Sequence, residues 1–262
     1  MDLKPGTREL VHGYNFENVF LKEVMSRKST NAIIHVPNKQ KEGHVKPDGA
    51  TAHGLCLARP STTMCVSGVG GGKTLVALNI AARTAEGLGD WKHIYLLSPN
   101  VEAAAAGEYA LLDVTCLHEF PPLNYFDDKP GASLFICDDW DLKSLSSKGA
   151  PDSQKMRADR LMGNLSTHHP GSLNVIVCTQ SWTMVPPNLR RLATVFCLWP
   201  NRIARDGIGH IARGVMIEKR MLEYIFDQCG DDPHSFVLIE NDPVPGRSRV
   251  RLNGVTPIAD IL

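Results

Sequence analysis

The segment Ser67-Gly68-Val69-Gly70-Gly71-Gly72-Lys73-Thr74 restricts what this chain can fold into more than any other stretch. Its glycines open backbone conformations closed to other residues. Upstream lies the apolar run Thr62 to Ser67. Downstream, Lys73 to Glu86 carries Leu75, Leu78, Ala82 and Ala85 at helical spacing until Gly87-Leu88-Gly89 stops it. A strand, a glycine-rich turn and a helix N-terminus in that order turn consecutive N–H groups inward and add the helix dipole, an arrangement suited to phosphate. Ser67, Gly68, Val69, Gly70, Gly71, Gly72, Lys73, Thr74 and Leu75 are therefore the expected nucleotide-binding residues. Lys73 reaches the β/γ oxygens and Thr74 ligates Mg²⁺. Such loops usually open with glycine, so Ser67 predicts a differently shaped left edge.

A second motif follows 65 residues after Lys73, where Leu134-Phe135-Ile136-Cys137 runs into Asp138 and Asp139. An apolar strand ending in two carboxylates is the pattern of a Walker B strand. Asp138 is expected to hold Mg²⁺ through water, and Asp139 to orient or deprotonate the attacking water. A third apolar run, Asn174 to Cys178, ends in Thr179 and Gln180, and Gln180 is the candidate sensor of the γ-phosphate.

From Thr62 onward, short β-branched runs alternate with helical stretches, which predicts an α/β fold with parallel strands covered on both faces. Expected strands are His93 to Ser98, Ser133 to Cys137, Val175 to Thr179 and Thr194 to Trp199. Expected helices are Ala103 to Leu112, Gln154 to Met162 and Met216 to Phe226, the last ended by Gly230. His234 to Glu240 and Arg249 to Leu252 suit a terminal β-hairpin. Residues 1–60 read as a leader of unassigned role, with apolar stretches near Phe16 to Val24 and Ala32 to Val36, and residues 61–262 as one ATPase domain.

With 28 Lys plus Arg against 28 Asp plus Glu, the chain lacks the basic excess of a nucleic-acid coat protein, so any contact with DNA must be local. The seven cysteines are scattered without a CxxC and read as reduced core thiols. No stretch approaches the roughly 18 apolar residues of a membrane span, and the expectation is a soluble intracellular protein.

The order of motifs resembles the poxvirus-type genome-packaging ATPases of the FtsK/HerA superfamily. The likeness rests on the glycine loop and Ile136-Cys137-Asp138-Asp139, followed by His168-His169, the strand ending in Gln180, Pro187-Asn188-Leu189-Arg190 and His234-Ser235-Phe236. It spans roughly residues 58 to 253. It implies a RecA-like P-loop NTPase of the ASCE type that hydrolyses ATP with Mg²⁺ as an oligomeric ring. Such a ring drives double-stranded DNA, without sequence preference, into a preformed viral capsid, at a capsid vertex or beside membrane-associated capsid proteins. The expected location is the host cytoplasm or virus factory, or the virion. Where the family places an Arg-His element, this chain has Thr167-His168-His169-Pro170. Arg190 matches the arginine after the glutamine strand and is the first candidate for a trans-acting finger, with Arg191 and Arg160 behind it. Lys143 and Lys148 fit either a pore loop or a solvated surface loop. Another FtsK/HerA-type motor or helicase, and a small-molecule kinase or switch, are the competing readings.

Overall fold

The computed structural model describes residues 19–25, 31–37, 55, 57, 61–83, 91–126, 131–144, 152–160, 173–204, 207–241, 243, 247–254 and 256–258. Its first two strands, β1 (Val19–Met25) and β2 (Asn31–Pro37), pair antiparallel as a separate hairpin.

The main sheet is built from β3 (Thr62–Val66), β4 (His93–Leu97), β5 (Val114–Leu117), β6 (Ser133–Asp138), β7 (Leu173–Thr179) and β8 (Val195–Leu198), all parallel to their neighbours. Three further strands, β9 (Val237–Glu240), β10 (Val250–Leu252) and β11 (Thr256–Pro257), extend it antiparallel from β8. The spatial order is β11-β10-β9-β8-β3-β7-β6-β4-β5. The expected terminal hairpin is present as β9 and β10.

Every residue of β3, β6, β7 and β8 is buried, as strands covered on both faces must be. Met64, Val66, Phe135, Cys137, Val175, Val177 and Phe196 face one core, and Cys65, Leu134, Ile136, Ile176, Cys178 and Cys197 the other. Leu55 and Leu57 are also buried in the second core. Among the described cysteines, Cys65, Cys137, Cys178, Cys197 and Cys229 are buried and free.

Helix α1 (Lys73–Arg83) shows how the loop overrides amphipathic pattern. Of the residues noted at helical spacing, Leu78 packs partly buried against the second core while Leu75 is 66% exposed, and the buried face is Val76, Ala77, Ile80 and Ala81. Lys73 must point under the loop, and residues three, four, seven and eight positions later share its side of the helix. The chain thus forgoes the roughly 1.5–3 kcal/mol that burying Leu75 would contribute. Residues 84–86 lie outside the described residues.

Two more expectations are corrected. The Ala-rich helix α2 covers Val101–Ala106 and does not reach Leu112. Gly107 closes it, its N–H bonded to Ala103 O at 2.9 Å, and Tyr109 turns into the core. The late helix expected from Met216 begins only at Lys219, as α6 (Lys219–Asp227), because Met216 adopts φ 55°, and a further helix that was not expected, α5 (Ile208–Gly214), precedes it. The buried Arg249 closes α5, its Nη2 donating to Val215 O at 2.8 Å. Strand β5 had no expected counterpart. The remaining helices are α3 (Asp152–Arg160) and α4 (Pro187–Leu192).

Candidate active site

The carboxyl ends of β3, β7 and β6 lie side by side, which places the three sequence motifs along one edge of the sheet. The loop after β3 begins with a buried Ser67 whose N–H bonds Thr179 O at 3.1 Å. Gly68 N–H donates to Arg202 O at 3.0 Å, tying the loop to the segment after β8. Gly70 at φ 76° and Gly72 at φ 103° occupy conformations that side chains rarely adopt. The altered left edge expected from Ser67 takes a specific form: its hydroxyl donates to Gly68 O at 3.0 Å and lies beneath Gly71, where a Cβ would overlap it.

Lys73 is 6% exposed, with Nζ 3.5 Å from Gly68 O and 3.8 Å from Asp139 Oδ1. Thr74 Oγ1 donates to Asp138 Oδ2 at 3.1 Å. The Tyr109 hydroxyl donates to the same oxygen at 2.9 Å. Asp138 Oδ1 is buried and has no hydrogen-bond partner. Burial pushes the Asp138 carboxyl above its ordinary range, a shift that the Tyr109 bond opposes and the neighbouring Asp139 reinforces. A buried carboxylate oxygen without a partner costs free energy, and beside a threonine hydroxyl it suits a divalent cation or its bound water. Thr74 and Asp138 therefore fit Mg²⁺.

Consecutive strand residues point to opposite faces, yet Asp138 and Asp139 reach the same cavity. The reason is that Asp139 has left the strand: it adopts φ 50°, and its N–H bonds Cys178 O at 3.1 Å. Its carboxylate is partly exposed and accepts from Gln180 Nε2 at 3.4 Å. One cavity of about 820 Å³ is lined by Thr74, Glu108, Asp138 and Asp139, among others. A second of about 520 Å³ is lined by Val69, Gly70, Gly72, Lys73, Leu75 and Gln180 together with Thr74, Glu108 and Asp139. Val69 is 74% exposed, so with Leu75 it offers the second cavity an apolar rim.

Lys73, Thr74, Asp138, Asp139 and Gln180 are thus brought together. Arg190 is not among them: its guanidinium carbon stands 5.5 Å from the Trp182 ring centroid. Burial lowers its pKa, and its Nε is buried without a hydrogen-bond partner. Arg191 is exposed on the same helix, and Lys143 is exposed in the turn after β6, whose N–H is capped by Asp141 at 3.1 Å. Lys148, His168, His169 and the side chain of Arg160 lie outside the described residues. Sequence reasoning missed Glu108, Tyr109 and Arg202. Gly107, as a helix breaker, was the available signal for the first two; no local signal marks Arg202.

A glycine loop on β3, a carboxylate pair on β6 and a polar-ended strand between them define a RecA-like P-loop NTPase fold of the ASCE type. Among solved structures, the chain is similar to the DNA-packaging ATPase B204 from Sulfolobus turreted icosahedral virus. Identity is 12%, the TM-score is 0.52, and the match covers 76% of this chain and 98% of that one. It is also similar to the pCW3 conjugation coupling protein TcpA with ATPγS, at 11% identity and TM-score 0.48, over 86% of this chain and 75% of that one. At 12% identity, the likeness to the packaging ATPase is one of fold. No family model and no curated protein matches the sequence. Among the described residues, no helix is long and apolar enough to cross a membrane.

Proposed function

We propose that this chain is an ATP-hydrolysing motor that translocates double-stranded DNA as an oligomeric ring, packaging a viral genome into a preformed capsid. The observation that supports this most is the insertion of β7 between β3 and β6, which sets Gln180 beside Asp139 and within the same cavity as Lys73. The order of motifs described above adds the packaging role, as does the fold of a viral packaging ATPase.

In this reading the loop amides and Lys73 bind the triphosphate, and Thr74 with Asp138 holds Mg²⁺, which when bound neutralises charge on the β- and γ-oxygens. Asp139 accepts the proton of the attacking water, and Gln180 fixes the direction of that carboxylate. A ring also requires a residue from the neighbouring subunit. Arg190 suits this role as a half-buried cation stacked on Trp182, able to meet phosphoryl charge across an interface. The motor would act in the host cytoplasm or virus factory, at a capsid vertex.

Measuring ATP turnover with and without double-stranded DNA of arbitrary sequence, alongside particle mass in solution, tests this reading. Stimulation by duplex and a multimeric mass are expected. Strand separation of a forked duplex would point instead to a helicase, and a DNA-insensitive monomer to a kinase or switch.

A further inference from the structure

We infer that Tyr109 is a positioning residue for the metal site, holding the Asp138 carboxylate in the orientation that leaves one oxygen free; this rests on the nucleotide-site reading above. Tyr109 is fully buried in the second core, and its hydroxyl meets Asp138 Oδ2 at 2.9 Å across the sheet edge. Thr74 donates to that same Oδ2 at 3.1 Å, and Oδ1 remains without a partner. With both donors on one oxygen, rotation of the carboxylate would break two hydrogen bonds. The unpartnered Oδ1 is therefore kept at a set place while Oδ2 faces Thr74.

The two donors are not equivalent. Thr74 itself is a metal ligand, so its hydroxyl answers to the cation as well as to Asp138. Tyr109 reaches Asp138 from the turn after α2, which is not part of the loop. The N–H of Tyr109 bonds Ala104 O at 3.0 Å, and its carbonyl accepts from Leu112 N–H at 2.9 Å. Gly107 cannot be enlarged freely, since a Cβ there would stand 3.0 Å from Ala103 O. Helix α2 ends at Gly107, and the turn that follows sets Tyr109 against Asp138. The same turn aims Glu108 at both cavities, so one turn supplies an inward clamp and an outward carboxylate.

Tyr109→Phe removes the hydroxyl and keeps the ring in its core position. Mn²⁺ serves as the probe, its affinity read by electron paramagnetic resonance on the full chain saturated with a non-hydrolysable ATP analogue. Outer partners of metal ligands are typically worth 10–100-fold in metal affinity, and a loss of about 10-fold is expected here. Analogue affinity in EDTA should stay near wild type, the melting temperature should fall only as the loss of one buried hydrogen bond requires, and turnover should recover at higher Mg²⁺. Unchanged Mn²⁺ affinity would overturn the inference. So would a parallel fall in analogue affinity in EDTA, which would make Tyr109 a general support of the fold. If the wild type binds no nucleotide at all, the nucleotide-site reading fails first, and this inference with it.

Discussion

The hydroxyl of Ser67 occupies the space beneath the phosphate loop that a side chain on Gly71 would need. The two positions are complementary, so the departure from the usual leading glycine is balanced within the loop. Gly71→Ala should therefore strain the loop by about 1–3 kcal/mol, as overpacking does, and weaken nucleotide binding. Ser67→Gly should be mild. The double variant should bind better than Gly71→Ala alone, because Trp199 Cδ1, the next atom, stands at an ordinary 3.5 Å. Calorimetry on the four proteins checks this, and simple additivity of the two effects would refute the complementarity.

Lys73 contacts only a carbonyl and a partly exposed carboxylate among the described residues. Lys73→Ala should thus leave the fold intact while removing a donor aimed at developing charge, a loss usually worth 10²–10³ or more in rate. Steady-state hydrolysis and a melting curve measure both sides. Near-normal turnover would rule out the phosphate-loop assignment.

The bend at Asp139 brings two adjacent carboxylates to one cavity, and the proposed reading gives them separate tasks. Asp139→Asn should keep nucleotide and Mg²⁺ binding but hydrolyse about 10²–10⁴ times more slowly, the range for a general base. Asp138→Asn should instead raise the Mg²⁺ requirement. Titrating Mg²⁺ against turnover in both variants distinguishes them; identical Mg²⁺ curves would mean the roles are misassigned.

Arg190 stacks on Trp182 within its own subunit, yet no carboxylate pairs with it among the described residues. Arg190→Ala should spare nucleotide binding, lower stability by about 0.5–1 kcal/mol from the lost cation–π contact, and suppress turnover. Mixing Arg190→Ala with Lys73→Ala subunits should restore part of the activity through composite interfaces. A mixture as inactive as either parent would return Arg190 to a purely structural role and move the search to Arg191 or Arg160.

The carboxylate of Glu240 and the guanidinium of Arg251 form an ion pair at 2.6 Å, with both side chains almost fully buried. Removing one partner of such a pair typically costs 3–5 kcal/mol. Glu240→Gln and Arg251→Met should each lower the denaturant midpoint clearly, with little effect on nucleotide affinity, since β9 and β10 lie away from the loop edge of β7 and β6. Unchanged midpoints in both variants would show that the pair contributes nothing to stability.

The motifs were legible in the amino-acid order because they are local. Ser67 to Thr74 suit a phosphate loop on their own chemistry, and Asp138, Asp139 and Gln180 follow apolar runs that read as buried strands without distant information. The strands β3, β4, β6, β7 and β8 and the α/β class followed from the same short-range patterns, whereas β5 did not. Helix ends did not. Ala103 to Leu112 is helix-forming on both sides of Gly107, but the helix ends at that glycine and Tyr109 beyond it bonds Asp138. Leu75 looks like a core residue by spacing, and faces solvent because Lys73, two residues earlier, must point under the loop.

By itself, then, the sequence marked out the residues proposed for phosphate, metal and water, since such tasks depend on residue type and immediate backbone context. Only the tertiary structure decided how they meet. It placed β7 between β3 and β6, bent the chain at Asp139, set Tyr109 against Asp138 and left Arg190 against Trp182. Each of these depends on contacts between residues far apart in the chain, and such contacts are fixed by packing a whole sheet rather than by any local pattern.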